Sequence, residues 1–237
     1  MKALVFNGPR DIQYETFPDP SLATDNSVIL KVERCSICGS DLHMYHGENL
    51  GKASYSGGVT PFCVGHEFTG EIVEVGSQVH RFRVGQQVLA SGGAPCGKCK
   101  NCLSGYAQRC SGWTAFGLSG AMNGGQAEFV NVPMADLTLQ PIPEGVTVEQ
   151  SILLTDALCT AYFGLTRTNL EPGDVVAVVG LGPIGLIGVE LAFTLGASAG
   201  WAALSAQTLD CRVAGDDGHG YLIMEGEKGI ETRGYAR

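Results

Sequence analysis

Four cysteines, Cys96, Cys99, Cys102 and Cys110, form a CxxCxxCx7C run that constrains this chain more than any other feature. Four unpaired thiols on one loop are an oxidation liability. Four thiolates, by contrast, can enclose a tetrahedral ion with no position left for water, as in a structural zinc site. An iron–sulfur cluster is the alternative, but the bacterial ferredoxin run has three residues before its fourth cysteine and a proline after it. Here seven residues intervene and Ser111 follows, so zinc is the expected ion. The nine cysteines of the chain are an odd number, and only four apolar residues separate Lys2 from Asn7, too few for a secretory signal. A cytoplasmic location, with metal binding preferred to disulfides, is the expectation.

The rest of the composition narrows the classes. A length of 237 residues suits one large or two modest domains. Its 34 glycines follow no G-X-Y period and point to turns and close backbone approaches. A net charge of −9 without clustered Lys and Arg argues against nucleic acid as a partner. The uncharged stretch from Val175 to Val189 raises the question of a membrane span, but Pro183, Glu190 and recurrent glycines interrupt any apolar 20-mer, and none is expected.

Along the first 140 or so residues the pattern is all-β: Ala3 to Phe6, Ser27 to Glu33, Phe68 to Val75, Val84 to Ala90 and Ala127 to Val132 read as strands between glycine turns. Ser91 to Gly125 is a long loop dense in Cys and Gly, of a length that is usually functional. Near Pro141 the character changes. Thr147 and Gln150 make a capping-box pair ahead of an apolar run with helical spacing from Ile152 to Leu165. Pro172-Gly-Asp174, the apolar run Val175 to Val179, Gly180-Leu-Gly-Pro-Ile-Gly185 and a helical stretch to Leu195 then read as a β-turn-α unit with a buried parallel strand. The expected domains are 1–145 and 146–237.

A second chemical group is scattered: Cys38-Gly-Ser-Asp-Leu-His43, Gly65-His-Glu67 and Asp156. Alone, each has a bland reading: Cys38 a small core residue, His66 a satisfied core histidine, Asp156 a solvated polar position on a helix. Asp156 fits that reading least, because a carboxylate among Leu153, Leu154, Ala157 and Leu158 is costly to bury unless paired or metal-bound. One Cys, one His and one carboxylate would leave a tetrahedral ion one open position, as a catalytic zinc requires. Gly180-x-Gly182-x-x-Gly185 follows an expected strand and opens an expected helix, the context in which such glycines let a dinucleotide pyrophosphate approach the helix N-terminus. Cys35 and Cys38 are also spaced CxxC, but no thioredoxin-like βαβ pattern surrounds them; Cys63, Cys159 and Cys211 read as structural or incidental.

From Met1 to about Ser198 the sequence resembles the zinc-dependent medium-chain alcohol dehydrogenases, through CGSDLH at 38–43, GHE at 65–67, the four-cysteine lobe, TDALCTAY at 155–162 and GLGPIG at 180–185, in that order. The resemblance implies a β-rich GroES-like barrel domain followed by an α/β Rossmann domain. It implies that Cys38, His66 and Asp156 hold a catalytic zinc, with Glu67 as an alternative ligand and Asp41 orienting His66. It further implies that Ser40 takes the alcohol proton and passes it toward His43, that the hydride moves to NAD or NADP, and that Thr160 packs beside the nicotinamide. Gly180, Gly182, Pro183, Ile184 and Gly185 would hold the cofactor, and a small alcohol or aldehyde would be the substrate. Asp156, where other branches carry Cys or Glu, is similar to the formaldehyde-dehydrogenase-like and secondary-alcohol branches. Pairing of copies through the Rossmann sheet is common in the family, and oligomeric state stays open.

The resemblance fades from about residue 199. A second Rossmann strand through Trp201 to Leu204 would end in an acidic residue for the adenosine ribose, yet Leu204 and Ser205 stand there and Asp210 lies too far on. Gly215-Asp-Asp-Gly218 reads only as a turn. The expectation is an incomplete, C-terminally truncated Rossmann domain. Two functions follow: a zinc-dependent, nicotinamide-linked oxidoreductase, or a zinc-binding fragment without turnover.

Overall fold

The computed structural model describes residues 1–48, 60–180, 182–203, 220–226 and 229–235. Leu204, Ser205, Asp210, Cys211 and the turn at 215–218 lie outside the described residues. The chain forms two compact units, Met1–Thr155 and Asp156–Arg237.

In the first unit, β1 (Lys2–Gly8) and β2 (Asp11–Thr16) form a hairpin, and β3 (Val28–Cys35) leads to the helix α1 (Gly39–His46). Next come β4 (Phe62–Cys63), β5 (Phe68–Val75), β6 (Gln87–Ala90) and β7 (Gly93–Ala94). The cysteine lobe carries α2 (Lys100–Leu103) and ends at β8 (Thr114–Ala115). β9 (Phe129–Val132), α3 (Ala135–Thr138), β10 (Leu139–Pro141) and α4 (Val148–Ser151) complete the unit. The strands form a five-stranded sheet of order β10-β6-β5-β3-β9, a three-stranded sheet β2-β1-β4 and the pair β7-β8. Alternation along β3 and β5 buries Val28, Leu30, Phe68 and Ile72 in one core with Val88, Phe116 and Val130. Phe68 and Phe116 meet edge-on at 5.0 Å, the arrangement their ring quadrupoles favour.

The expected barrel is not formed. Closure requires every strand to pair on both sides, but the described sheets stop at β2 and at β10. β10 is three residues long and ends in Pro141, which has no N–H to donate. β2 lies largely exposed, and the small sheet meets the segment before β9 through the bridge Ala3 to Ala127 and the bond from Gly124 N–H to the Cys63 carbonyl. The first unit is therefore an assembly of open sheets.

The apolar run after the Thr147 capping box does not form one helix. Gln150 N–H donates to Thr147 Oγ1 as expected, but α4 gives way to a 3₁₀ turn at Ile152–Leu154. Ser151 and Thr155 donate their hydroxyls to the carbonyls of Val148 and Ile152, local bonds that compete with a helical ladder. The helix α5 (Ala157–Thr166) then starts afresh in the second unit behind Asp156, whose φ of −149° is not helical.

The second unit continues with β11 (Val175–Val179), α6 (Pro183–Thr194), β12 (Ala199–Ala203), β13 (Gly220–Gly226) and β14 (Gly229–Tyr235). β11 pairs in parallel with β12 and with β13, and β14 runs antiparallel to β13. The tail thus extends the sheet, and β11 is an internal strand. Parallel strands need no period-2 alternation, and β12 begins two residues before the expected Trp201–Leu204 strand. α6 turns Gly185, Gly188 and Ala192 inward, and a Cβ at Gly188 would lie at ordinary contact distance, 3.9 Å, from Val178. The uncharged stretch from 175 resolves into this strand and helix. Among the described residues no helix is long and apolar enough to cross a membrane.

Candidate metal centres and cofactor site

The four sulfurs of Cys96, Cys99, Cys102 and Cys110 lie within 4.8 Å of one another. The backbone is already arranged for thiolates: the N–H groups of Cys96 and Gly112 point at Cys110 Sγ, at 3.2 and 3.3 Å. The Cys99 thiol is drawn down to about 6, first by the Cys102 N–H and then by the Ser111 N–H. Cys102 is pushed up to about 12, first by desolvation and then by the neighbouring thiols. Four thiolates within 4.8 Å of one another repel strongly unless a cation sits among them. The donor set, its closed geometry and the amide bonds fit a structural zinc ion.

The second cluster is built by β3, α1 and β5. Cys38 precedes α1, and its N–H donates to Asp41 Oδ2 at 2.9 Å, closing the helix start. Asp41 Oδ1 lies 3.5 Å from His66 Nδ1, so one buried carboxylate fixes the Cys38 backbone and faces the imidazole. Gly65, at φ +93°, turns the chain so that His66 and Glu67 enter the interior, where they are 4% and 6% exposed. A Cβ at Gly92 would come within 3.6 Å of the His66 ring. The ligand atoms of Cys38, His66 and Glu67 all lie within 4.8 Å of one another. A soft thiolate, an imidazole and a carboxylate are a zinc donor set, and three of them leave a coordination position open.

Ser40 Oγ lies 3.8 Å from Cys38 Sγ. His43, one turn further along α1, has Nδ1 2.5 Å from Glu48 Oε2 and is partly exposed. Asp156 opens the second unit, and its Oδ1 accepts a hydrogen bond of 2.6 Å from Thr160 Oγ1. In the same unit, Gly180 adopts φ +104°, which favours glycine, and Gly182 caps α6 ahead of Pro183 and Ile184. Gly185 is buried in the first turn of α6. The N-terminus of α6 follows the end of β11 across this glycine turn, the arrangement that receives a phosphate.

Two residues at the first unit's cluster escaped the sequence reading. Ser36 donates its hydroxyl to Glu67, and Gln126 Nε2 donates to the Ser36 carbonyl at 3.0 Å. Pairing β3 against β5 in antiparallel register would have revealed the first contact, since Cys35 faces Phe68 and Ser36 is therefore opposite Glu67. The approach of Gln126 is long-range and has no local signal.

Residues 24–144 match the alcohol dehydrogenase GroES-like domain family. A probable zinc-binding alcohol dehydrogenase of Mycobacterium tuberculosis is 41% identical over 199 residues, covering 84% of this chain and 50% of that protein. An alcohol dehydrogenase from Thermus sp. ATN1 superposes with a TM-score of 0.80 at 31% identity, over 89% of this chain and 65% of that one. A zinc-binding dehydrogenase from Sinorhizobium meliloti, solved bound to NADP, gives 0.70 at 28% identity, over 88% of this chain and 63% of that one. The chain spans about half the length of the curated relatives it matches. With the zinc donor sets and the strand–glycine–helix turn described above, these matches show that the chain belongs to the zinc-dependent medium-chain alcohol dehydrogenase family.

Proposed function

We propose that this chain carries the catalytic machinery of a zinc-dependent oxidoreductase that moves a hydride between a small alcohol, or an aldehyde hydrate, and NAD or NADP. The observation that carries this reading is the group of one half-buried thiol, one buried imidazole and one buried carboxylate, Cys38, His66 and Glu67, with the Ser40 hydroxyl beside it. Asp156 is proposed as a further ligand and Glu67 as an alternative to it. When bound, zinc supplies a Lewis acid for a substrate oxygen and the nicotinamide supplies the hydride acceptor.

The chain's own residues divide the remaining work. Ser40 Oγ receives the substrate's hydroxyl proton and hands its own toward His43, whose partly exposed ring releases it to solvent. Asp41 holds His66 in one orientation, the service a carboxylate commonly gives to a metal-bound imidazole. Thr160 fixes the Asp156 carboxylate through its 2.6 Å bond and lines the nicotinamide side of the second unit. Gly180, Gly182, Pro183, Ile184 and Gly185 would bring the N-terminal turn of α6 to the pyrophosphate, with no side chain at the glycines to block its approach. The four-cysteine lobe is structural. The proposed location is the cytoplasm, and assembly into a homo-oligomer is left to measurement.

A zinc-binding protein without turnover is the second reading, favoured by the lack of any acidic residue from 191 to 209, where a ribose ligand would stand. Fluorescence titration of the zinc-loaded chain with NADH and NADPH, with nicotinamide absorbance followed for short alcohols with NAD or NADP and for short aldehydes with NADH or NADPH, separates the two. Enhanced nicotinamide fluorescence with turnover supports the oxidoreductase. Neither signal, with both metals bound, would establish the second reading instead.

A further inference from the structure

The β3–β5 ladder continues one step past its last strand pair, because Ser36 N–H donates to the Glu67 carbonyl at 3.2 Å. Directly opposed residues in an antiparallel pair place their side chains on one face, within reach of each other. That register sets the Ser36 hydroxyl on the Glu67 carboxylate, where it donates to Oε2. Ser36 is itself seated from behind. Gln126 Nε2 bonds its carbonyl, and the Gln126 backbone is locked between β1 and the segment before His66, by Leu4 N–H to Gln126 O at 2.8 Å and Gln126 N–H to Val64 O at 2.9 Å. The Gln126 side chain lies over Gly65, where a Cβ would meet its Cγ at 2.4 Å. The carboxylate of the cluster is therefore aimed by a chain of contacts running from the β1 sheet.

We propose that Ser36, seated by Gln126, is a positioning residue that holds the Glu67 carboxylate beside Cys38 and His66 as a ligand for the metal there. The inference rests on the zinc reading of that cluster. Glu67 is 6% exposed and joined to its backbone by rotatable bonds. Without the Ser36 donor, Glu67 Oε2 loses the contact that aims it at the cluster. Partners that orient a metal ligand in this way are typically worth about 10–100-fold in metal affinity.

The test is competition between a chromophoric chelator and the full-length chain for Zn²⁺, repeated with Co²⁺ to record the absorption spectrum. The four-thiolate lobe, with more intense sulfur-to-cobalt absorption, serves as the internal folding control. Ser36→Ala is expected to weaken binding at the Cys38/His66 cluster about tenfold or more, to alter its cobalt bands, and to leave the lobe unchanged. Ser36→Thr, which keeps the hydroxyl, restores the affinity. Gln126→Leu, which unseats Ser36 without touching Glu67, weakens binding in the same direction and serves if Ser36→Ala loses its lobe metal. In a Glu67→Ala background, Ser36→Ala has no further effect, because the cycle isolates the Ser36–Glu67 coupling. Unchanged affinity and cobalt bands in Ser36→Ala, equal weakening in Ser36→Thr, or a full Ser36 effect without Glu67 would each overturn the proposal. A parent chain that binds metal only at the lobe would overturn the zinc reading and the positioning role with it.

Discussion

Replacing Gly65 with alanine tests how tightly the first unit's backbone is bound to its buried cluster. The residue sits at φ +93°, and a Cβ there would meet Gln126 Cγ at 2.4 Å, Cδ at 2.9 Å and the Gln126 backbone nitrogen at 3.0 Å. The backbone conformation alone costs an alanine about 1–2 kcal/mol. Overpacking against a neighbour that cannot give way adds about 1–3 kcal/mol. Gln126 is such a neighbour, since its backbone is hydrogen-bonded on both sides. The expected loss is about 2–5 kcal/mol in all. Gly85 supplies the control: its φ is +83° and nothing lies within 4 Å of its would-be Cβ, so alanine there pays only the backbone cost. Urea unfolding of the metal-loaded chain, followed by circular dichroism, measures both variants, and chelator competition should show weaker binding at the Cys38/His66 cluster in Gly65→Ala only. Equal destabilisation by the two substitutions would refute the claim that Gln126 is wedged against Gly65.

Other expectations follow from single contacts. Gly182→Asp should preserve α6, because aspartate is a good N-cap, yet lower NADH affinity at least about tenfold by setting a negative charge where the pyrophosphate approaches, as read by nicotinamide fluorescence. Thr147→Ala removes the oxygen that accepts Gln150 N–H and should cost about 1 kcal/mol in the same urea assay. Burial pushes the Cys63 thiol up to about 11 from an ordinary value near 9. Between those values the unfolded chain loses a proton that the folded chain keeps, so stability falls as pH rises through that window. Cys63→Ala should flatten that part of the urea-midpoint profile, and an unchanged slope would show that Cys63 is not its source.

What the sequence made legible was local. The cysteine spacing announced a compact four-sulfur lobe because its ligands lie within one loop. The alternation of Val28, Leu30 and Val32 marked β3 as a strand with one buried face, and the glycines after Val179 marked a strand-to-helix turn. Closure into a barrel was not legible, because it depends on the free edges of β2 and β10, which no short pattern reports. The break before Asp156 was hidden for a different reason: hydroxyl bonds from Ser151 and Thr155 interrupt a run whose apolar spacing is helical. The Ser36–Glu67 contact required the register of two strands distant in sequence, and the pairing of β13 with β11 lay beyond any periodic signal.

The most direct measurement is native mass spectrometry of the zinc-reconstituted full chain, read together with Cys38→Ala and Cys99→Ala. Two zinc ions per chain are predicted, each substitution removing a different one, with the four-cysteine lobe still loaded in Cys38→Ala. One zinc or none in the parent chain, or loss of the same ion from both variants, would contradict the two-centre account.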